Sequence, residues 1–180
     1  MRWAALLKGV NVGGNRKLPM AELRGFAEAL GLGDAATLLA SGNLVFSTDE
    51  RDGAVLEALL EREAKARLGL DTQFLLRNAA DLDAVIAANP FADQARDRPN
   101  HLLVHFHRDP VPAAWLAAVE AEKEGDEALF VRGRELFIDY RDGIGTSTLP
   151  PLMVKARHRL LNTARNWNTV TKLAAMLTQP

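Results

Sequence analysis

The chain has no cysteine among its 180 residues. That excludes disulfides, thiolate zinc sites and a cysteine nucleophile, and it agrees with a reducing compartment. Long apolar runs are missing as well. The opening segment Met1-Arg2-Trp3-Ala4-Ala5-Leu6-Leu7 is broken by Lys8, too early for a signal peptide. No stretch approaches the roughly 20 apolar residues that span a bilayer. We therefore expect a soluble, cytoplasmic protein without a membrane partner. Acids are absent from both ends. Residues 1–21 carry Arg2, Lys8, Arg16 and Lys17, and residues 143–180 carry Lys155, Arg157, Arg159, Arg165 and Lys172, with no Asp or Glu in either stretch. All 23 acidic residues lie between Glu22 and Asp142, although the net charge is only −1. Such sign asymmetry bears on partners rather than on fold.

Apolar residues make up 48% of the chain and charged ones 25%, the balance of an ordinary globular protein. A chain of this length buries roughly two-thirds of its unfolded surface, so it needs no metal or disulfide to fold. It suits one domain, or two small ones sharing a core.

The pattern along the chain alternates strands and helices. Residues 3–9 read as a central strand, followed by a glycine-bearing loop from Asn11 to Lys17. Pro19 opens a helix whose Met20, Leu23, Ala27 and Leu30 share a face, and Gly31 stops it. Short strands at 36–40 and 44–47 flank the turn Ser41-Gly42-Asn43. A helix over 52–68, capped by Asp49 or Asp52, leads to a strand at 72–77. A short helix over 79–88 breaks at Asn89-Pro90, and 92–99 read as a polar loop. A strand at 101–107, a helix near 112–123 and a hairpin of strands 127–132 and 135–140 follow. Helices at 151–160 and 168–177 close the chain. The order predicts an α+β fold of two ferredoxin-like (βαββα-type) halves in tandem, 1–78 and 79–180. No close residue-level repeat is visible, so the pairing of the halves rests on element order.

Four segments in order carry a resemblance: Leu7-Lys8-Gly9-Val10-Asn11-Val12-Gly13-Gly14, Ser41-Gly42-Asn43-Leu44-Val45-Phe46, Asp142-Gly143-Ile144-Gly145-Thr146-Ser147 and Arg165-Asn166-Trp167-Asn168-Thr169-Val170. The chain resembles the bacterial family "domain of unknown function 1697" from residue 3 to about 177. The resemblance implies a stand-alone α+β protein built on two related halves, and it implies no activity. The family's first motif usually has Arg where Lys8 stands, which keeps the charge but not a bidentate fork.

Each motif has a structural and a functional reading. In the loop from Gly9 to Lys17, Gly13 and Gly14 can turn backbone N–H groups toward an anion, with Lys8, Asn11 and Lys17 adding charge and polarity. The loop equally suits a tight crossover. It lacks the Lys-Ser/Thr of a Walker A loop. Gly31-Leu32-Gly33-Asp34-Ala35-Ala36 follows a helix and precedes a strand, the reverse of a dinucleotide fingerprint. Ser41, Gly42 and Asn43 suffice as a hairpin turn. Arg165 can pair with phosphate or carboxylate and Trp167 can stack on a base, or the two can anchor the last helix, which Asn168 or Thr169 would cap. His101, His105 and His107 share parity on one strand, but their spacing fits no zinc site, and a half-exposed strand face explains them. Glu135, Asp139 and Asp142 are explained by the second hairpin and its loop. No pattern requires a cofactor or a metal.

Three readings of function remain. The first is a module binding a phosphate-bearing or other anionic ligand, a nucleotide or short nucleic acid, at the Gly-rich loop together with Arg165, Asn166 and Trp167. The second is a transferase-like enzyme of unidentified substrate, in which Lys8, Lys17 and Arg165 stabilise negative charge while Asn11, Ser41 and Asn43 position the substrate. The third is a homo-oligomer that pairs through open sheet edges.

Overall fold

The structure, a computed structural model, describes residues 1–11, 17–155 and 160–178. The chain divides into two compact units: Met1–Ala84 with the C-terminal segment from Lys172 on, and Val85–Thr171.

The first unit begins with β1 (Arg2–Leu7), α1 (Met20–Ala29), β2 (Gly33–Thr37), β3 (Asn43–Ser47), α2 (Gly53–Leu68) and β4 (Phe74–Asn78). Its antiparallel sheet runs in the order β2-β3-β1-β4. The strands alternate. Ala5, Leu7, Leu44, Phe46, Phe74 and Leu76 pack in one cluster with Leu23, Phe26 and Ala27 of α1 and with Leu56, Leu60 and Ala64 of α2. Each large side chain buried this way contributes about 1.5–3 kcal/mol. The opposite face is also dry, because Ala4, Leu6, Val45 and Leu75 are fully buried. The helix caps follow the chemistry expected of them. The Asp52 carboxylate accepts the Ala54 and Val55 N–H groups at the start of α2, and Gly69 takes the left-handed conformation (φ 60°) at its end.

Along the chain, α3 (Ala79–Ala88) and α4 (Ala92–Asp97) follow β4. The second replaces the predicted polar loop over 92–99. It is a helix of only six residues that buries none of them, so it leaves no apolar periodicity to detect.

The second unit repeats the pattern with β5 (Leu102–His107), α5 (Ala113–Glu122), β6 (Ala128–Arg132), β7 (Glu135–Asp139), a 3₁₀ turn at Ile144–Thr146, α6 (Leu149–Met153) and β8 (Asn162–Asn166), after which α7 (Trp167–Thr178) begins. Its sheet order, β6-β7-β5-β8, is that of the first. The chain is thus an α+β protein of two similar ferredoxin-like halves. Two sequence expectations are corrected here. The helix expected over 151–160 is short and its predicted tail, 156–159, lies outside the described residues. Strand β8 was not foreseen, because Asn162-Thr163-Ala164-Arg165-Asn166 is polar in composition although Thr163 and Arg165 are buried.

The halves also share a residue-level correspondence that the sequence reading missed. Arg77 in β4 lies opposite Ala4 of β1, and Arg165 in β8 lies opposite Val104 of β5. Both guanidinium groups are buried and donate through Nη1 to the preceding carbonyl, at 2.8 Å to Leu76 O and 2.8 Å to Ala164 O. The next residue caps the following helix in each case. Asn78 Oδ1 accepts the Asp81 N–H and Asn166 Oδ1 the Thr169 N–H, both at 3.0 Å. Asn166, rather than Asn168 or Thr169, is therefore the capping side chain of α7.

Candidate ligand pocket in the second half

The site residues expected from the sequence fall into two groups. Around the end of β1, Asn11 adopts φ 56° and acts as a clamp. Its Nδ2 donates to Leu18 O (2.9 Å) and Ala40 O (2.7 Å), and its Oδ1 accepts the Leu18 N–H (2.8 Å). Gly42 O accepts the Leu7 N–H, and a Cβ at Gly42 would stand 3.0 Å from Leu7 Cβ, so the close approach and φ 75° both demand glycine there. Asn43 is fully buried and donates to Leu38 O and Ser41 Oγ. The Lys8 carbonyl accepts from Thr72 Oγ1 at 2.6 Å. Lys17 is exposed, while Gly13 and Gly14 lie outside the described residues. Lys8, Asn11, Ser41, Gly42 and Asn43 are thus gathered in the first unit, largely through backbone-holding bonds.

Arg165, Asn166 and Trp167 belong to the second unit. Arg165 Nη1 also donates to Thr163 Oγ1 at 2.8 Å, and burial lowers the guanidinium pKa to about 10. Trp167 is buried as the first residue of α7.

The histidines do not form the half-exposed face expected of them. His105 and His107 are buried on the helix-covered side of β5, and His107 meets Trp115 edge-on with ring centroids 6.5 Å apart. His105 Nδ1 lies 3.1 Å from Asn162 Oδ1, and the Asn162 amide donates elsewhere, to Leu160 O. His105 therefore donates from Nδ1, and burial lowers its pKa to about 4. Among the described residues no three His, Asp or Glu side chains converge to hold a metal.

A cavity of about 420 Å³ opens elsewhere in the second unit, within the size range of small-molecule sites. Its floor is made by Glu127, just before β6, and Tyr140, just after β7, and its wall by the segment from Arg141 to Thr148. That segment contains the motif Asp142-Gly143-Ile144-Gly145-Thr146-Ser147. The loop is fixed from behind. His101 Nδ1 is 2.9 Å from Arg141 O, Gly143 N–H donates to Tyr140 O, and Gly143 adopts φ 95°, which a side chain would strain. Ser147 Oγ accepts the Leu149 N–H at 3.0 Å, which directs its own proton to Glu127 Oε1. Glu127 Oε2 and the Tyr140 hydroxyl are both buried, and neither has a hydrogen-bond partner among the described residues. Burial, reinforced by the Glu127 carboxylate, pushes the tyrosine pKa upward, so the hydroxyl stays protonated. Buried polar atoms are nearly always paired, so two orphans on one cavity floor are a departure that needs a cause. Asp139, by contrast, is accounted for by a two-pronged ion pair with Arg98, at 2.6 and 3.2 Å.

The sequence matches the family described as "Protein of unknown function (DUF1697)" over residues 1–137. The chain belongs to this family. The matched region contains the Gly-rich loop, the Ser41-Gly42-Asn43 turn and Glu127, whereas Tyr140, the Asp142–Ser147 motif and Arg165 lie beyond it. No curated protein matches the chain. A solved structure, "conserved bacterial protein SP0830 from Streptococcus pneumoniae", is similar at 24% identity with a TM-score of 0.76, over 98% of this chain and 98% of that one. The likeness extends the shared fold through both halves of this DUF1697 protein.

Proposed function

We propose that this DUF1697 protein binds a small polar ligand in the second-half cavity, between Glu127, Tyr140 and the Asp142–Ser147 loop. The observation that carries the reading is a pair of buried atoms without hydrogen-bond partners among the described residues, Glu127 Oε2 and the Tyr140 hydroxyl, on the floor of one open cavity. A group left unpaired in this way costs about 1–3 kcal/mol, which a ligand recovers by pairing with it. Gly125 fits the same reading. A Cβ there would lie 2.8 Å from Glu127 Cδ, so glycine is what leaves the carboxylate its place.

The test is a titration of the full chain, followed by backbone amide NMR, with a mixed panel of small amines, polyols, carboxylates and ATP. At least one class is expected to move the Gly125, Gly143 and Thr146 resonances. Gly125→Ala, which displaces the carboxylate, should weaken that binding at least about tenfold. A panel that leaves those three amides still would remove the proposal.

A phosphate-bearing ligand at the β1–α1 loop is a second reading. Lys17 is exposed there, and Gly9 and Asn11, both in left-handed conformations, turn the backbone sharply beside Lys8. ATP in the same panel addresses it. Shifts at Lys8, Asn11 and Lys17 that fade with added salt support it, and their absence at low salt ends it.

A further inference from the structure

We infer that the ligand of this pocket presents an organic cation, an ammonium or guanidinium group, to Glu127, and beside it a hydrogen-bond acceptor for the Tyr140 hydroxyl. The inference deepens the reading of the cavity as a binding site and rests on it.

The floor decides the polarity of the occupant. An ionised carboxylate only accepts, and Ser147 already supplies the donor for Oε1, so whatever reaches Oε2 must donate. Tyr140 is the complement: its hydroxyl proton has no acceptor among the described residues. The charge of the cavity favours a cationic donor over a neutral one. Glu127 is 92% buried (8% exposed), and a carboxylate removed from water is costly unless a positive charge faces it. Among the described residues the rim adds Glu124, Asp126 and Asp142 against one cation, Arg141. The nearby Lys123 ammonium is occupied, donating to Gly125 O at 3.0 Å and lying 3.6 Å from Glu120. An anion would thus enter a cavity of its own sign. A metal ion lacks a ligand set, since no three suitable side chains converge among the described residues. A charge-assisted hydrogen bond to Oε2 from an amine or guanidinium satisfies the acceptor and the charge together.

The experiment uses the full chain and four probes: putrescine, agmatine, 1,4-butanediol and magnesium ion. Butanediol has putrescine's carbon chain without its charge. Titration calorimetry, with the Gly125 and Gly143 amides as reporters of place, should show the two amines binding at least about tenfold tighter than the diol. Glu127→Gln should remove most of that preference. Should Glu127→Gln fail to fold, Gly125→Ala, which displaces the carboxylate, serves, with weaker amine binding expected. The amine-to-diol comparison needs no variant. If the diol or an anion from the broader panel occupies the pocket as tightly as the amines, or magnesium does so in their place, the cation inference is overturned while the pocket stands as a site. If no molecule of either set reaches the pocket, both fail together.

Discussion

At the residue scale the most testable side chain is His105. Its imidazole is buried among apolar neighbours on the covered face of β5 and has one ring-nitrogen partner, Asn162. Burial holds its pKa at about 4, against 6.5 for a free side chain. The unfolded chain therefore binds a proton that the folded chain refuses across that interval. The stability this side chain contributes is complete above pH 6.5, falls as the pH drops through the interval and is gone below about 4. A shift of this size corresponds to about 3 kcal/mol. Urea denaturation of the wild type and of His105→Gln between pH 7.5 and 4 should show the wild type losing more stability on acidification, by a few kcal/mol. Parallel curves would mean that the folded protein accommodates a charged imidazole. None of this was legible in the sequence. The shared parity of His101, His105 and His107 was visible, but which face of the sheet the helices cover is a tertiary fact.

At the element scale, strands and helices were legible where local chemistry and burial agree. Asp52 is a case of agreement. The position before the apolar run Leu56, Leu60, Ala64 reads as a cap, and the carboxylate accepts the Ala54 N–H at 2.8 Å. Asp52→Ala should lower the stability of the first half by about 1 kcal/mol, measured by urea denaturation, and Asp52→Ser should restore most of it. No loss on alanine substitution would show that water caps α2 equally well. Strand β8 is a case of disagreement. It buries an arginine and a threonine, so period-two apolarity never appears, and the segment reads as the approach to a helix. The clue that could have found it is Leu76-Arg77-Asn78. A buried arginine followed by an asparagine that caps the next helix is the device ending β4, and Ala164-Arg165-Asn166 repeats it. The Arg165 motif that read from sequence as a ligand contact has, in the structure, this second strand-to-helix device as its local surroundings.

At the scale of the whole molecule, element order was enough to read two ferredoxin-like halves, because each half must cover one face of its sheet with helices and few chain paths do so. The candidate site was harder to read for a physical reason. Formal charge drew attention to the basic ends, where the side chains of Asn11, Arg165 and Asn166 hold backbone groups. The pocket is lined instead mostly from the acid-rich middle, and what marks it is the burial of Glu127 and Tyr140 together, which no count of charges along a sequence contains. The same topology dictates how the molecule opens. β1 and β5 are central strands with hydrogen-bonded neighbours on both sides, and every residue of β5 is buried. β2 and β6 are edges with partly exposed residues, and β2 is further interrupted by a register shift between Gly33 and Ala36. Hydrogen exchange in a cooperative fold is slowest where opening requires the whole unit to unfold, and fastest where an edge can detach alone. Exchange followed by mass spectrometry should therefore find amides of β1 and β5 protected far longer than those of β2 and β6, in both halves alike. Edge amides as slow as central ones would mean that something further covers those edges in solution, as strand pairing between copies of the chain would do.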